Sequence, residues 1–192
     1  MKKLHSIDVI EEIAKKNKSI KEFYFSAYFY IPAALSDKGR LVVRKIKRNP
    51  LKSLQKRICS LKIPRGWSLG LMSKIKMING SFRYIPQIDF SCPVSKKNLN
   101  LIKKNFSRII QLFPGYILET KYSYHYLGLK LLNKNELIKF IGNCLLCGGR
   151  TNSELIVDAR WLGHALRNGY MDLRISATDS RPEPRVVAFL KK

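Results

Sequence analysis

Tyr84-Ile85-Pro86-Gln87-Ile88-Asp89-Phe90-Ser91 reads as a strand that ends in a carboxylate. Side chains alternate along an extended chain, so Ile88 and Phe90 turn towards a core while Gln87, Asp89 and Ser91 share the other face. The surroundings set Asp89 apart. Between Asp37 and Glu119 it is the one acidic residue, and from Lys38 to Ile88 the chain has fourteen basic residues and no acid. A lone carboxylate in a basic setting suits a metal ion near phosphates, because cation, anion and basic side chains neutralise one another. It equally suits a strand-end Asp paired with a neighbouring Lys or Arg.

Working outward, Trp67 to Met77 and Ser81 to Ser91 form the arms of an expected hairpin around Asn79-Gly80, a strong turn dipeptide. Asp89 closes its second arm. Asn98 to Phe113 is the clearest helix, with Leu99, Ile102, Phe106, Ile109 and Phe113 at steps of three and four before Pro114-Gly115. Tyr116 to Leu132 returns to strand chemistry as two arms bent near Tyr122, carrying Glu119, Ser123 and His125. Asn133 to Cys147 is helical, with Asn133 and Glu136 in capping-box spacing and Gly148-Gly149 as its stop.

Leu155-Ile156-Val157-Asp158 is a short buried strand ending in a second carboxylate. A helix from Arg160 to Asn168 stops at Gly169, and Asp158 could simply cap it. His164, at helical spacing from Arg160, reads as a structural or surface donor. A strand from Tyr170 to Ser176 carries Asp172, Arg174 and Ser176; a loop and a last edge strand, Val186 to Leu190, follow.

Towards the N-terminus, Ser6 to Lys18 has the pattern of an amphipathic helix capped by Ser6, with acids early and lysines late, and Ile7, Ile10, Ile13 and Ala14 as its stripe. Phe23 to Ile31 is a strand rich in aromatics, which serve either a sheet core or base stacking. Leu41 to Ile46 is another strand and Leu51 to Leu61 a helix.

The whole chain of 192 residues carries a net charge of +24 with 45% hydrophobic residues. That charge predicts a polyanionic partner, and the apolar content argues against disorder. The longest apolar runs are too short to span a bilayer. Cys59, Cys92, Cys144 and Cys147 lack disulfide-framework spacing. Cys144 and Cys147 form a CxxC without a second ligand pair, so buried thiols are expected there and no zinc. A cytoplasmic location is the default expectation.

Three pieces recur in order: Ile88-Asp89-Phe90-Ser91, Ser123-Tyr124-His125 and Ile156-Val157-Asp158. This order resembles the three motifs of the archaeo-eukaryotic primase superfamily, the primase-polymerases: hydrophobic-Asp-hydrophobic-acid, Ser-x-His and hydrophobic-Asp. The longer strings Arg83 to Phe90 and Asp158 to His164 are similar to its single-aspartate, primase 1D-like group. The resemblance runs from about Trp67 to Ser176.

The resemblance implies an α+β fold, a mixed or antiparallel sheet flanked by helices, with a primase-polymerase-like core. One domain over 1–192 is expected, with a basic part at 1–66 and the motif-bearing core at 67–176. It implies metal-dependent nucleotidyl transfer on a DNA or RNA template, using nucleoside triphosphates and Mg²⁺ or Mn²⁺. Asp89 and Asp158 would hold the metal and His125 would meet the nucleotide phosphates. Ser123, Arg160, Arg174 and Ser176 are the accompanying nucleotide-binding candidates. No membrane is involved, and a helicase or another replication partner would act in trans. The sequence departs from the family where the second acid of the first motif would fall, at Ser91. Glu119 and Asp172 are candidate substitutes. Two other functions remain open: a degenerate primase fold that binds nucleic acid or nucleotides without synthesis, and a basic structural or assembly protein.

Overall fold

A computed structural model of the chain describes residues 4–29, 40–48, 54–110, 114–146 and 156–191. Five helices and nine strands occur in these segments: α1 (Ser6–Lys16), β1 (Ile20–Tyr28), β2 (Arg40–Lys47), α2 (Leu54–Cys59), β3 (Ser68–Met77), β4 (Phe82–Tyr84), β5 (Gln87–Asp89), α3 (Lys96–Ile110), β6 (Gly115–Glu119), β7 (Tyr124–Gly128), α4 (Lys134–Leu146), α5 (Ala159–Asn168), β8 (Asp172–Arg174) and β9 (Arg185–Leu190). The expected ends at Ile31, Leu51, Phe113, Cys147, Gly148-Gly149 and Leu155 lie outside the described residues.

The strands form two antiparallel sheets, so the architecture is α+β with helices flanking antiparallel sheets. The first has the order β2-β1-β3-β4, with β8 also paired to β3; the second has the order β5-β7-β6-β9. The anticipated hairpin is therefore cut in two. Its first part holds, with β4 paired to β3 across the Asn79-Gly80 turn, where Gly80 takes a φ of 84°. Pro86 then ends the arm. It has no N–H for a ladder, and its own carbonyl accepts from Gly128 N–H at 2.8 Å. The chain thus passes into the second sheet, where β5 pairs with β7. Asp89 belongs to a different sheet from the hairpin that leads to it.

Two apolar clusters make the core. On one face of the second sheet, Ile88, Ile117, Tyr124 and Tyr126 pack against Ile102 and Phe106 of α3, Leu137 and Phe140 of α4 and Leu162 of α5. On its other face, Leu118 and Leu127 join Phe23 and Phe25 of β1, Leu71 and Ile75 of β3, and the inward residues of α1 and α2. The second cluster binds the two sheets together.

Capping follows the sequence in places. Asn133 N–H donates to Glu136 Oε2 and Glu136 N–H to Asn133 Oδ1, the reciprocal bonds of a capping box. At α1, the cap is His5 and not Ser6: His5 N–H donates to Asp8 Oδ2 at 2.8 Å. Ser6 is buried, and its hydroxyl donates instead to the Ile175 carbonyl at 3.0 Å. Cys92 and Cys144 are buried free thiols and Cys59 is an exposed one. Among the described residues, no helix is long and apolar enough to cross a membrane.

Candidate active site

Asp89, His125 and Asp158 come together as a row across three adjacent extended segments. Asp89 pairs directly with His125 in the β5–β7 ladder. On its other side, Phe90 bridges Val157 in antiparallel fashion, with Asp158 N–H donating to the Asp89 carbonyl at 2.9 Å. That register sets Asp158 opposite Asp89. Directly opposed residues share a face, with Cβ atoms about 4.5–5.5 Å apart. Nothing but local strand geometry is needed to align the three groups.

His125 Nε2 stands 3.6 Å from Asp89 Oδ1. The Asp89 side chain keeps 28% of its surface exposed and the His125 side chain 9%. Burial pushes the Asp89 carboxyl up to about 7, the negative charge of Asp158 pushes the same way, and Arg181 and Arg174 pull against them. Burial pushes His125 down to about 3, aided by the positive charges of Arg174 and Arg181. The imidazole is therefore neutral at neutral pH, and it hydrogen bonds to the Arg174 backbone.

Asp158 is also the N-cap of α5, its Oδ1 accepting from Trp161 N–H at 2.9 Å. One oxygen is thus committed to the helix start. Trp161 Nε1 donates to the Asp172 carbonyl and so ties the start of α5 to β8.

Arg174 is buried on β8 and held by the carbonyls of Ser176 and Pro182, the latter at 2.8 Å. Its charge reaches both Asp89 and His125. Ser176 is used structurally: its Oγ accepts from Leu69 N–H at 2.9 Å. Ser123, two residues before His125, closes the β6–β7 turn, with its N–H donating to Thr120 Oγ1 at 3.0 Å. Arg160 is exposed in the first turn of α5, after Asp158, and His164 is half-buried further along it.

Neither candidate substitute for the missing acid joins the row. Glu119 pairs with Tyr124, one position away from the Leu118–His125 pair, and so faces the opposite side of the sheet. There it binds Arg185, whose Nη2 lies 2.6 Å from Oε1. Asp172 is buried on β8 and accepts a hydrogen bond from the Ser26 hydroxyl. Gly70 makes room for that pair, since a Cβ there would overlap the Asp172 carboxylate. Ser91 is exposed.

Arg181 was not legible as a site residue. It sits in a tight turn, where Thr178 and Arg181 exchange backbone hydrogen bonds, and its guanidinium lies 5.6 Å from the Tyr122 ring. Lys121 donates to the Ser180 carbonyl at 3.2 Å. Two turns, 120–123 and 178–181, are thereby latched together beside Asp89 and His125. The sequence signal for Arg181 was only one more cation in a chain full of them.

The family model that describes archaeo-eukaryotic primase 1D-like proteins matches residues 47–186. The chain belongs to this primase 1D-like family. The match extends beyond both ends of the segment whose motifs resemble it, taking in the last part of β2 as well as the Arg181 turn. No curated protein and no solved structure shows a significant similarity to the chain.

Proposed function

We propose that this primase-like protein carries out metal-dependent nucleotidyl transfer on a nucleic-acid template, with Asp89 and Asp158 as the metal ligands. The observation that carries the reading is the pair itself: two carboxylates opposed across neighbouring strands, with the charge of Asp158 resisting ionisation of Asp89. A divalent cation relieves that resistance. Among the described residues there is no group of three or more metal-ligating side chains. Two carboxylates suit a hard cation such as Mg²⁺ or Mn²⁺, which keeps several waters and would take further oxygens from substrate phosphates. When bound, such a cation would polarise the α-phosphate and favour the attacking 3′-oxygen.

The chain's own residues supply the rest. Neutral His125, at the rim between Asp89 and Arg174, gives its one N–H to the Arg174 backbone and adds no positive charge that would repel the cation. Arg174, preset by two carbonyls, and Arg181, on the latched turn, neutralise the triphosphate. Arg160, two residues after Asp158, and Ser123, two residues before His125, are further candidates for contacts with the nucleotide. A nucleic-acid partner accords with the net charge of +24, and any helicase would act in trans.

The degenerate reading has its own support in exposed Ser91, which stands where a third carboxylate would be. Incorporation of labelled nucleotides on single-stranded templates with Mn²⁺ or Mg²⁺ separates the two. Synthesis by the wild type that falls at least about 100-fold in both Asp89→Asn and Asp158→Asn is expected. Salt-sensitive binding without product from any of the three proteins would leave a binder that does not synthesise.

A further inference from the structure

The aromatic strand β1 divides its rings between two destinations. Phe23 and Phe25 are fully buried between the sheets. Tyr24, between them, turns to the outer face of the first sheet. Tyr24 pairs with Lys45, and Glu22 pairs with both Lys47 and Lys76. Lys76 in turn pairs with Phe82. Directly paired residues share a face, so β2, β1, β3 and β4 each contribute to one surface.

On that surface, rings and ammonium groups alternate. Lys45 Nζ lies 5.7 Å from the Tyr24 ring and Lys74 Nζ lies 4.2 Å from the Phe82 ring. The two rings are 6.4 Å apart and tilted. Phe82 is 41% exposed, a large apolar ring that the fold does not bury. Lys45, Lys47, Lys74 and Lys76 face a single acid, Glu22, among the described residues of this group.

The same face of β3 continues from Lys76 and Lys74 to Gly70, which pairs with Arg174. At about 3.3 Å per residue, the Lys76 end lies roughly 20 Å from the Arg174 end. Beyond Lys74 this face is closed, with Met72, Ser26, Asp172 and Arg174 all buried, so the open surface is the patch of lysines and rings itself.

We infer that the outer face of the β2-β1-β3-β4 sheet is a docking track for single-stranded nucleic acid, with Phe82 and Tyr24 as base-stacking platforms and the lysines on the phosphates. The inference rests on the nucleic-acid reading above and adds the surface that serves it. Single strands fit it because their bases are free to meet a ring, whereas a duplex offers only its backbone and groove edges. Charge complementarity selects the partner, and the exposed rings select its form.

Fluorescence anisotropy of labelled oligo(dT) and of an abasic oligomer of equal length tests the track. Phe82→Ala should weaken oligo(dT) binding about tenfold and leave the abasic oligomer unchanged. Lys74→Ala with Lys76→Ala should weaken both and lower the salt slope by about 1.4, given about 0.7 per phosphate contact on single strands. Ile138→Ala, which removes a comparably exposed apolar residue from α4, should change neither. Salt-sensitive wild-type binding that ignores Phe82, Lys74 and Lys76 overturns the track and leaves the nucleic-acid reading standing. Wild-type protein without salt-sensitive binding overturns both.

Discussion

His125 and Asp89 occupy directly paired positions on β7 and β5, with Nε2 3.6 Å from Oδ1, and burial drives their proton affinities in opposite directions. The folded pair therefore holds its proton on the carboxyl. In the unfolded chain, between about pH 4 and 6.5, the proton sits on the imidazole instead.

This exchange has a signature in stability. Asp89, raised to about 7, contributes stability below its ordinary carboxylate value and loses it as pH rises through about 7. His125, lowered to about 3, contributes stability above its ordinary imidazole value and loses it as pH falls towards 3. Between about pH 4 and 6.5 the two slopes oppose. Asp89→Asn should make stability rise with pH across this window, and His125→Asn should make it fall, each by about 1 kcal/mol per pH unit. Urea denaturation at pH 4, 5 and 6 reads both slopes, and slopes of the same sign in the two variants would disprove the opposed pair.

Asp158 has two separable duties. Asparagine retains the acceptor for Trp161 N–H, so Asp158→Asn should fold with near-native stability. Alanine removes the cap and should cost about 1 kcal/mol. Both remove the charge that raises Asp89, so an NMR titration of the Asp89 carboxyl should move down from about 7 in either variant. A titration unmoved by both substitutions would mean that the two carboxylates are not neighbours.

Gly70 is the steric key to the Ser26–Asp172 pair. Gly70→Ala forces a methyl into that carboxylate and hydroxyl and should destabilise the protein by about 1–3 kcal/mol. Gly142→Ala, in α4 with no atom near the added Cβ, should stabilise it by up to about 1 kcal/mol. Chemical denaturation of the two alanine variants compares them; equal effects would refute the crowding at β8.

The two arginines differ in what their removal does. Arg174 is buried and bonded to two carbonyls, so Arg174→Ala should lower both stability and activity. Arg181→Ala should leave folding near native and raise KM for the nucleotide about tenfold or more, the worth of a charge-assisted hydrogen bond. Steady-state kinetics with melting curves tells them apart. An Arg181→Ala protein with unchanged KM would remove that residue from the phosphate-binding role.

The row of Asp89, His125 and Asp158 was visible in the sequence through the order of three motifs that resembles the primase family; Asp89 and Asp158 each follow an apolar run, whereas His125 follows Ser123-Tyr124. The resemblance implied a mixed or antiparallel sheet flanked by helices, and the sheets are antiparallel. Pairing partners were not visible. Pro86 reads as an imperfection within one arm, yet it is where the chain leaves one sheet for another. Glu119 looked available because a sequence does not state the register across the turn at 120–123; that register turns it towards Arg185. Arg181 depends on a return of the chain over sixty residues downstream of Tyr122, and local pattern has no access to that.

The placement of β1 between β2 and β3 bears on how the molecule can be divided. The family match begins only at residue 47, yet β1 supplies Phe23 and Phe25 to the intersheet core and Ser6 anchors to Ile175 at the far end of the chain. A fragment cut at the start of the match would leave β3 with a bare edge and an uncovered apolar face, the combination that drives strand-to-strand aggregation. The unit that carries the motifs is smaller than the unit that folds.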